Sequence, residues 1–347
     1  MRDNRIQHLK TLLLLGVVIN HAWAGSQYIT TDQIPPLHVV SWFSNVFIIS
    51  GLPVFFFLSG YFAGKRFEEF LTWGGYKTLM KKKIMTLAVP YLLWNAIFIA
   101  FYLAVGSMVP RIGQRVASFH LNTFYGCFDK LLGLSGSPLD APLWFIRDLF
   151  ILFLLVPLIV VVMKYAKWLL YIGFIALLLA SGFIYEKWYS AVLFTFGLDL
   201  GRRRFDLYRF ESLRWYAVPT WIIGSIGVYI SMVAENLTHA NPRILIWFYL
   251  ITPVAWIGML RWIRFKDGGL FERFLTPAAF YIYASHFLFC SMVLHSVAGK
   301  VPDSPFKLLI LYSVFIFGGG FIILSTFTVL RRFTPRLLSL LAGGRMS

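Results

Sequence analysis

The chain has 347 residues, 59% of them hydrophobic and only 14% charged, with a mean hydropathy of +0.71. Several runs approach or exceed the ~18 mostly apolar residues that cross a bilayer as a helix, so a soluble protein is excluded in favour of a polytopic membrane protein. A net charge of +17 does not point to nucleic acid here, because the cations sit in short loops between apolar runs, where they set membrane orientation.

In chain order, ten spans are predicted at about 9–25, 42–63, 84–105, 143–163, 167–184, 188–200, 216–234, 244–262, 277–298 and 306–330. The sixth is short and reads as an upright, broken or re-entrant segment. With a cytoplasmic N-terminus, the inner loops are the N-terminal tail, "GKRFEEFLTWGGYKTLMKKK", "KYAK", "GRRRFDLYRFESLR", "RWIRFKDGGLFER" and "RRFTPRLLSLLAGGR". They hold 24 of the 32 Lys+Arg. The opposite orientation violates the positive-inside rule at nearly every loop, so both termini are expected in the cytoplasm. No cleavable signal peptide is expected, since the apolar stretch after Lys10 lacks a small-residue cleavage site followed by polar sequence. The longest external stretch runs from about 106 to 141 and is polar. The expected fold is all-α: a single helical bundle in the membrane, residues 1–347, without a soluble extension. Cys127 and Cys290 are in no metal or redox spacing, and no metal or bound cofactor is expected.

The first span opens "HLKTLLLLGVVINHA". Lys10 and His21 are 11 residues apart, about 16 Å along a helix and about 20° apart around it, so both project from one face. Lys10 falls near the cytoplasmic surface and His21 somewhat past mid-membrane, with Asn20 adding polarity there. A polar stripe of this kind is expected to face the bundle interior or a water-filled cavity. Lys10 is either an ordinary snorkelling lysine or an anion holder. His21 is either hydrogen-bonded within helix packing or a functional imidazole able to accept a proton.

The second span ends "VFFFLSGYFAGKR", where Ser59 and Gly60 are small enough for close helix approach. Beyond them Lys65 and Arg66, then Lys81, Lys82 and Lys83, form a basic collar. It suits topology and anionic lipid, or a phosphate-rich cytosolic ligand. In the third span, "VPYLLWNAIF" sets Pro90 before Asn95, a mid-span proline expected to kink the helix. The fourth opens "APLWFIRDLFILFLLVPLI". Its adjacent Arg147 and Asp148 face about 100° apart and do not point at one partner without bending. Arg147 either turns inward to hold an anionic or hydroxyl-rich group or snorkels outward. In the ninth, "PAAFYIYASHFLF" puts Tyr283 three residues before His286, as a site or as a structural hydrogen-bonded pair. His295, on the opposite face, reads as bland.

Taken together, these segments resemble the membrane-bound acyltransferase 3 family, which includes bacterial O-antigen and enterobacterial-common-antigen O-acetyltransferases. The first span is similar to the family's opening motif, a basic residue with a histidine 11 positions later. "FFFLSGYF" looks like its second-span signature, and "KKKIMTLAVPYLLWN" like its basic loop and Pro-Tyr entry to the third span. "PLWFIRDLF" looks like its Trp-Phe motif and "FYIYASHF" like its late Tyr-x-x-His. Many members carry arginine where this chain has Lys10, which keeps the positive charge without the bidentate fork.

The resemblance implies a multi-pass protein of the bacterial cytoplasmic membrane. It would move an acetyl group from cytosolic acetyl-CoA, a co-substrate, to a sugar hydroxyl of a cell-surface or exported glycan. On that reading Lys10, Ser59, Lys65, Arg66, Lys81, Lys82 and Lys83 bind the donor. His21 is a general base on the acceptor hydroxyl or a transient acyl carrier, and His286 or Tyr283 orients it or polarises the thioester carbonyl. Arg147, Trp144 and Asn95 serve the acceptor. The expected partners are acyl-CoA, a glycan or lipid-linked sugar and membrane lipid, and no nucleic acid. Alternatives are a succinyl donor, a transporter or flippase of a lipid-linked sugar, or a non-catalytic component of a glycan assembly complex. The sequence is silent on oligomeric state.

Overall fold

A computed structural model describes residues 4–28, 38–48, 50–180, 185–234, 242–263, 269, 271–304 and 306–344. Arg2, Arg264, Lys266 and Arg345, counted above among the inner-loop cations, lie outside the described residues. Every regular element among the described residues is helical. The helices are α1 (Arg5–Ala22), α2 (His38–Trp42), α3 (Gly51–Gly64), α4 (Trp73–Lys83), α5 (Val89–Gly106), α6 (Pro110–Ser118), α7 (Phe124–Leu132) and α8 (Trp144–Tyr165). They continue with α9 (Lys167–Ala180), α10 (Tyr185–Arg202), α11 (Arg214–Ala234), α12 (Pro242–Gly258), α13 (Thr276–Ala298), α14 (Lys307–Ser313), α15 (Gly319–Phe333) and α16 (Pro335–Leu341). Only helices and closed barrels satisfy the backbone in lipid, so apolar runs of this length fold in no other open form.

Eight segments among the described residues are long and apolar enough to cross a membrane, against ten predicted. The predicted fifth and sixth spans correspond to α9 and α10. The first has 14 residues, about 21 Å against a hydrocarbon core of about 30 Å. The second carries Glu186, Lys187, Asp199 and Arg202. Asp199 is buried and accepts bonds from Arg203 (2.6 Å) and from the Tyr171 hydroxyl (3.0 Å), so its charge is compensated locally. The polar stretch after α5 is also not featureless, since it forms α6 and α7. Pro90 lies inside the continuous helical span Trp73–Gly106, directly after a π-helical segment, Ile84–Ala88, the kind of helix irregularity that accompanies a proline's missing N–H.

The chain divides into two compact units. The first comprises Met1–Met80 and Ile151–Thr276. Lipid tails are as apolar as leucine, so helices in a membrane associate by close packing and hydrogen bonds rather than by escape from water. The α3–α10 seam follows that rule through two glycine pairs spaced four residues apart. A Cβ on Gly60 would lie 1.9 Å from the Phe194 carbonyl oxygen, and one on Gly64 would lie 2.1 Å from that of Leu198. Reciprocally, Gly197 meets the Phe57 carbonyl oxygen at 2.1 Å and Gly201 that of Tyr61 at 2.0 Å. The close approach expected at Gly60 is therefore half of a two-sided backbone contact. Polar groups tie the rest of this unit together: Trp42 Nε1 donates to Ser225 Oγ (3.1 Å), Trp256 Nε1 donates to Ser50 Oγ (3.1 Å), and His38 Nδ1 shares a 2.7 Å bond with the Tyr229 hydroxyl.

The second unit comprises Lys81–Phe150 and Pro277–Ser347. Here α13 and α15 pack closely, a Cβ on Gly319 falling 2.8 Å from Cys290 Cα. The short α16 is fastened to α5 by Trp94 Nε1, which donates to the Leu341 carbonyl at 3.1 Å. Phe98, Leu121, Leu139 and Leu288 form a buried cluster, and the ring of Phe98 stacks on Phe287 at 6.2 Å.

Candidate functional site

In the first unit, Lys10 and His21 lie on one uninterrupted helix, α1, and both are partly buried. Beside His21, Asn20 Nδ2 donates to the Ser44 carbonyl (2.9 Å) and reaches Asn45 Oδ1 (3.5 Å), while Asn45 Nδ2 donates to Ser41 Oγ (3.2 Å). Ser44 and Asn45 belong to a π-helical segment, Phe43–Ile48. The wider turn of a π segment leaves backbone carbonyls off the regular ladder, and such segments concentrate at functional sites. The residue before His21 is thus tied to a local irregularity of the second span.

At the other end of α1, Lys10 Nζ stands 4.5 Å from the centroid of the Phe62 ring. Lys65 Nζ stands 5.7 Å from the same ring and 4.7 Å from that of Tyr61. Two ammonium groups around one aromatic ring gain from its quadrupole but repel each other, an arrangement suited to a polyanion. Tyr61 is held by its hydroxyl on the Phe205 carbonyl at 2.6 Å. Arg66 is engaged differently. Its Nε donates to Glu69 Oε1 at 2.9 Å and its Nη2 to Oε2, a bidentate pair that holds the Glu69 carboxyl below its ordinary range. Ser59 is partly buried on α3, one residue before the seam glycine Gly60.

In the second unit, Lys81 and Lys82 are exposed and Lys83 is partly buried, all in the last turn of α4. The remaining candidates converge on the turn Asp140–Leu143 that opens α8. Asn95 is fully buried; its Nδ2 donates to the Tyr91 carbonyl (2.9 Å) and its Oδ1 accepts the backbone N–H of Asp140 (2.9 Å). The Asp140 carbonyl accepts from Leu143 N at 2.9 Å. The Tyr283 hydroxyl donates to the Pro142 carbonyl at 2.5 Å. His286 Nδ1 lies 2.5 Å from the Tyr283 backbone carbonyl, and since a carbonyl only accepts, Nδ1 carries the hydrogen and Nε2 the lone pair. Asn95 and Tyr283 are therefore joined through one turn, with His286 on the same helix as Tyr283.

Arg147 follows the turn, and its Nε and Nη1 are engaged by local structure. Nη1 donates to the carbonyls of Gly133 and Gly136, both at 2.6 Å, and Nε to Asp148 Oδ1 at 2.9 Å. The adjacent side chains start about 100° apart, yet the flexible arginine folds back onto its neighbour. Gly133 ends α7 at φ +67°, and a Cβ there would lie 2.7 Å from Arg147 Nη1. Only glycine meets both demands. The loop between α7 and the turn is braced further by Asp129, which accepts from Ser135 N (2.8 Å) and Ser135 Oγ (2.7 Å); these bonds hold its carboxyl below the usual range. Trp144 is partly buried and meets Phe145 edge-on at 6.4 Å.

Asp140 itself was missed in the sequence, where it closes a polar loop. It is fully buried, and among the described residues neither carboxyl oxygen has a hydrogen-bond partner. Burial pushes its acid dissociation well above the carboxylate range. The only signal in "SPLDAPLWF" is an acid wedged between Leu139 and the apolar run of the fourth span.

A family model described as an acyltransferase domain, that of acyltransferase family 3, matches residues 3–332. The chain is also 24% identical, over 362 residues, to the succinoglycan biosynthesis protein ExoH of Rhizobium meliloti (strain 1021), with 98% of this chain and 92% of that protein aligned. No solved structure matches the chain. The basic-residue-to-histidine helix, the second-span glycines and the Tyr-x-x-His helix all lie inside the matched region. This helical membrane protein belongs to the acyltransferase 3 family and is an acyltransferase.

Proposed function

We propose that this acyltransferase moves an acetyl group from cytosolic acetyl-CoA to a sugar hydroxyl of an exported or cell-surface polysaccharide, or of its lipid-linked precursor, in the bacterial cytoplasmic membrane. The observation that carries the reading is the pairing on α1 of Lys10, flanking an aromatic ring with Lys65, and His21, next to the Asn20 that bonds the π segment. The relative named for succinoglycan biosynthesis supports a polysaccharide acceptor, and it favours succinyl as the second reading of the donor.

In this mechanism the phosphates of the donor rest at Lys10 and Lys65, with Lys81, Lys82 and Lys83 adding positive potential at the inner surface. The acyl-bearing arm extends along α1. At His21 the imidazole takes the proton of the acceptor hydroxyl as its oxygen attacks the thioester carbonyl carbon. The C–S bond then breaks, the proton passes to the departing thiolate, and an ester and free CoA result. Arg66, bound to Glu69, shapes the collar rather than meeting the donor directly. Asn95, Tyr283, His286 and Arg147 hold the turn before α8, with Trp144 beside it as a stacking surface for sugar.

The test is transfer by purified protein from labelled acetyl-CoA or succinyl-CoA to alkali-treated polysaccharide of the same host. Label in an alkali-labile ester is expected. Failure of both donors, together with movement of a lipid-linked sugar across proteoliposomes, would replace the enzyme by a transporter.

A further inference from the structure

We propose that the carboxyl of Asp140 binds a hydroxyl of the saccharide acceptor. The inference rests on the transferase reading above and names the residue that its acceptor meets in the second unit.

Three observations carry it. First, the backbone of Asp140 is held with unusual care: its N–H by Asn95 Oδ1 at 2.9 Å, its carbonyl by Leu143 N at 2.9 Å, and the residue two positions on by the Tyr283 hydroxyl at 2.5 Å. Second, nothing comparable is spent on the side chain. It is fully buried, and both oxygens lack a hydrogen-bond partner among the described residues. A buried polar group left so is costly, and an apolar side chain of similar volume would fit such a place with less penalty. Third, the nearby cation does not neutralise it. Tyr91 lies within Coulombic reach of Arg147, Asp148 and Asp140 together, but the Arg147 hydrogen bonds run to Gly133, Gly136 and Asp148.

The chemistry selects the ligand. Burial raises the proton affinity of this carboxyl, and a protonated carboxyl offers one donor and one acceptor. An alcohol offers the same pair in reverse, so a single sugar hydroxyl satisfies both oxygens. A phosphate would meet two carboxyls, Asp140 and Asp148, and an Arg147 whose hydrogen bonds already run to Gly133, Gly136 and Asp148. Leu139, next in the chain, belongs to the cluster with Phe98, whose ring stacks on Phe287.

The experiment measures transfer of labelled acetyl or succinyl from CoA to alkali-treated host polysaccharide, varying each substrate in turn. Asp140→Leu is expected to raise KM for the polysaccharide about tenfold, the factor carried by one such lost hydrogen bond. KM for acyl-CoA should stay at its wild-type value. Asp140→Asn, which keeps a donor and an acceptor, should raise the polysaccharide KM by less than the leucine variant. An Asp140→Leu enzyme with wild-type KM for polysaccharide overturns the inference. So does an asparagine variant as impaired as the leucine one, because the acid would then act through its proton. Loss of accumulation in both Asp140→Leu and Asp140→Ala also overturns it, by giving the carboxyl a structural role. Absence of polysaccharide transfer by the wild-type protein would instead remove the transferase reading, which separates the two failures.

Discussion

Asn95 Oδ1 accepts the backbone N–H of Asp140 at 2.9 Å, so a fully buried amide in the third span fixes the start of the fourth. An asparagine in a mostly apolar helix is expensive unless both ends of its amide are used. Here they are, since Nδ2 returns to the Tyr91 carbonyl. Replacing Asn95 by leucine should leave the Asp140 N–H buried without an acceptor and cost about 1–3 kcal/mol. Thermal unfolding in detergent checks this; an unchanged midpoint would assign the turn's position to packing alone.

The glycine seam makes a sharper structural prediction. Gly60→Ala forces a methyl group against the Phe194 carbonyl, which only backbone separation relieves, at a cost of about 1–3 kcal/mol. Gly197→Ala should behave alike. Gly74→Ala meets nothing within 4 Å and should leave the unfolding midpoint level or slightly raised. Equal midpoints for all three variants would remove the seam from the stability of α3 and α10.

His21→Ala should lower transfer at least a hundredfold while insertion and accumulation stay normal, the usual range for a lost general base. Transfer near the wild-type rate would show the imidazole to be a packing group. The readout is ester formation per mole of protein in inverted membrane vesicles.

At the collar, Lys10→Arg retains the charge over Phe62, whereas Lys10→Glu reverses it. The glutamate variant should raise KM for acyl-CoA roughly tenfold or more, and the arginine variant much less. Indifference to glutamate would make Lys10 a snorkelling anchor.

Asp140 gives the fold a pH signature. In the unfolded chain its carboxyl ionises at about pH 4, but in the folded chain burial holds the proton to higher pH. Between those values the unfolded state has released a proton that the folded state retains, so stability falls as pH rises, by about 1.4 kcal/mol per unit for this group. The groups within reach of the site, Tyr91, Arg147 and Asp148, remain in both proteins. Asp140→Leu should therefore gain on the wild type as pH is raised above about 4. A stability difference independent of pH would show the carboxyl to be ionised in the folded protein.

The sequence alone determined the membrane class, the helical fold and the helix that carries Lys10 and His21. Each depends on local quantities: hydropathy summed over a span, charge in short loops, and the fixed 100° step of a helix, which carries Lys10 and His21 round to one face whatever surrounds them. It placed Asn95, Tyr283 and Arg147 on helices but not their hydrogen-bond partners, which lie 45, 141 and 14 residues away. Tertiary structure alone decided that Arg147 bonds the loop that begins at Gly133, that Gly60 has a reciprocal partner in Gly197, and that Asp140 is buried. Those outcomes turn on which backbone groups of distant segments come within about 3 Å, a property of packed helices that hydropathy and periodicity do not encode.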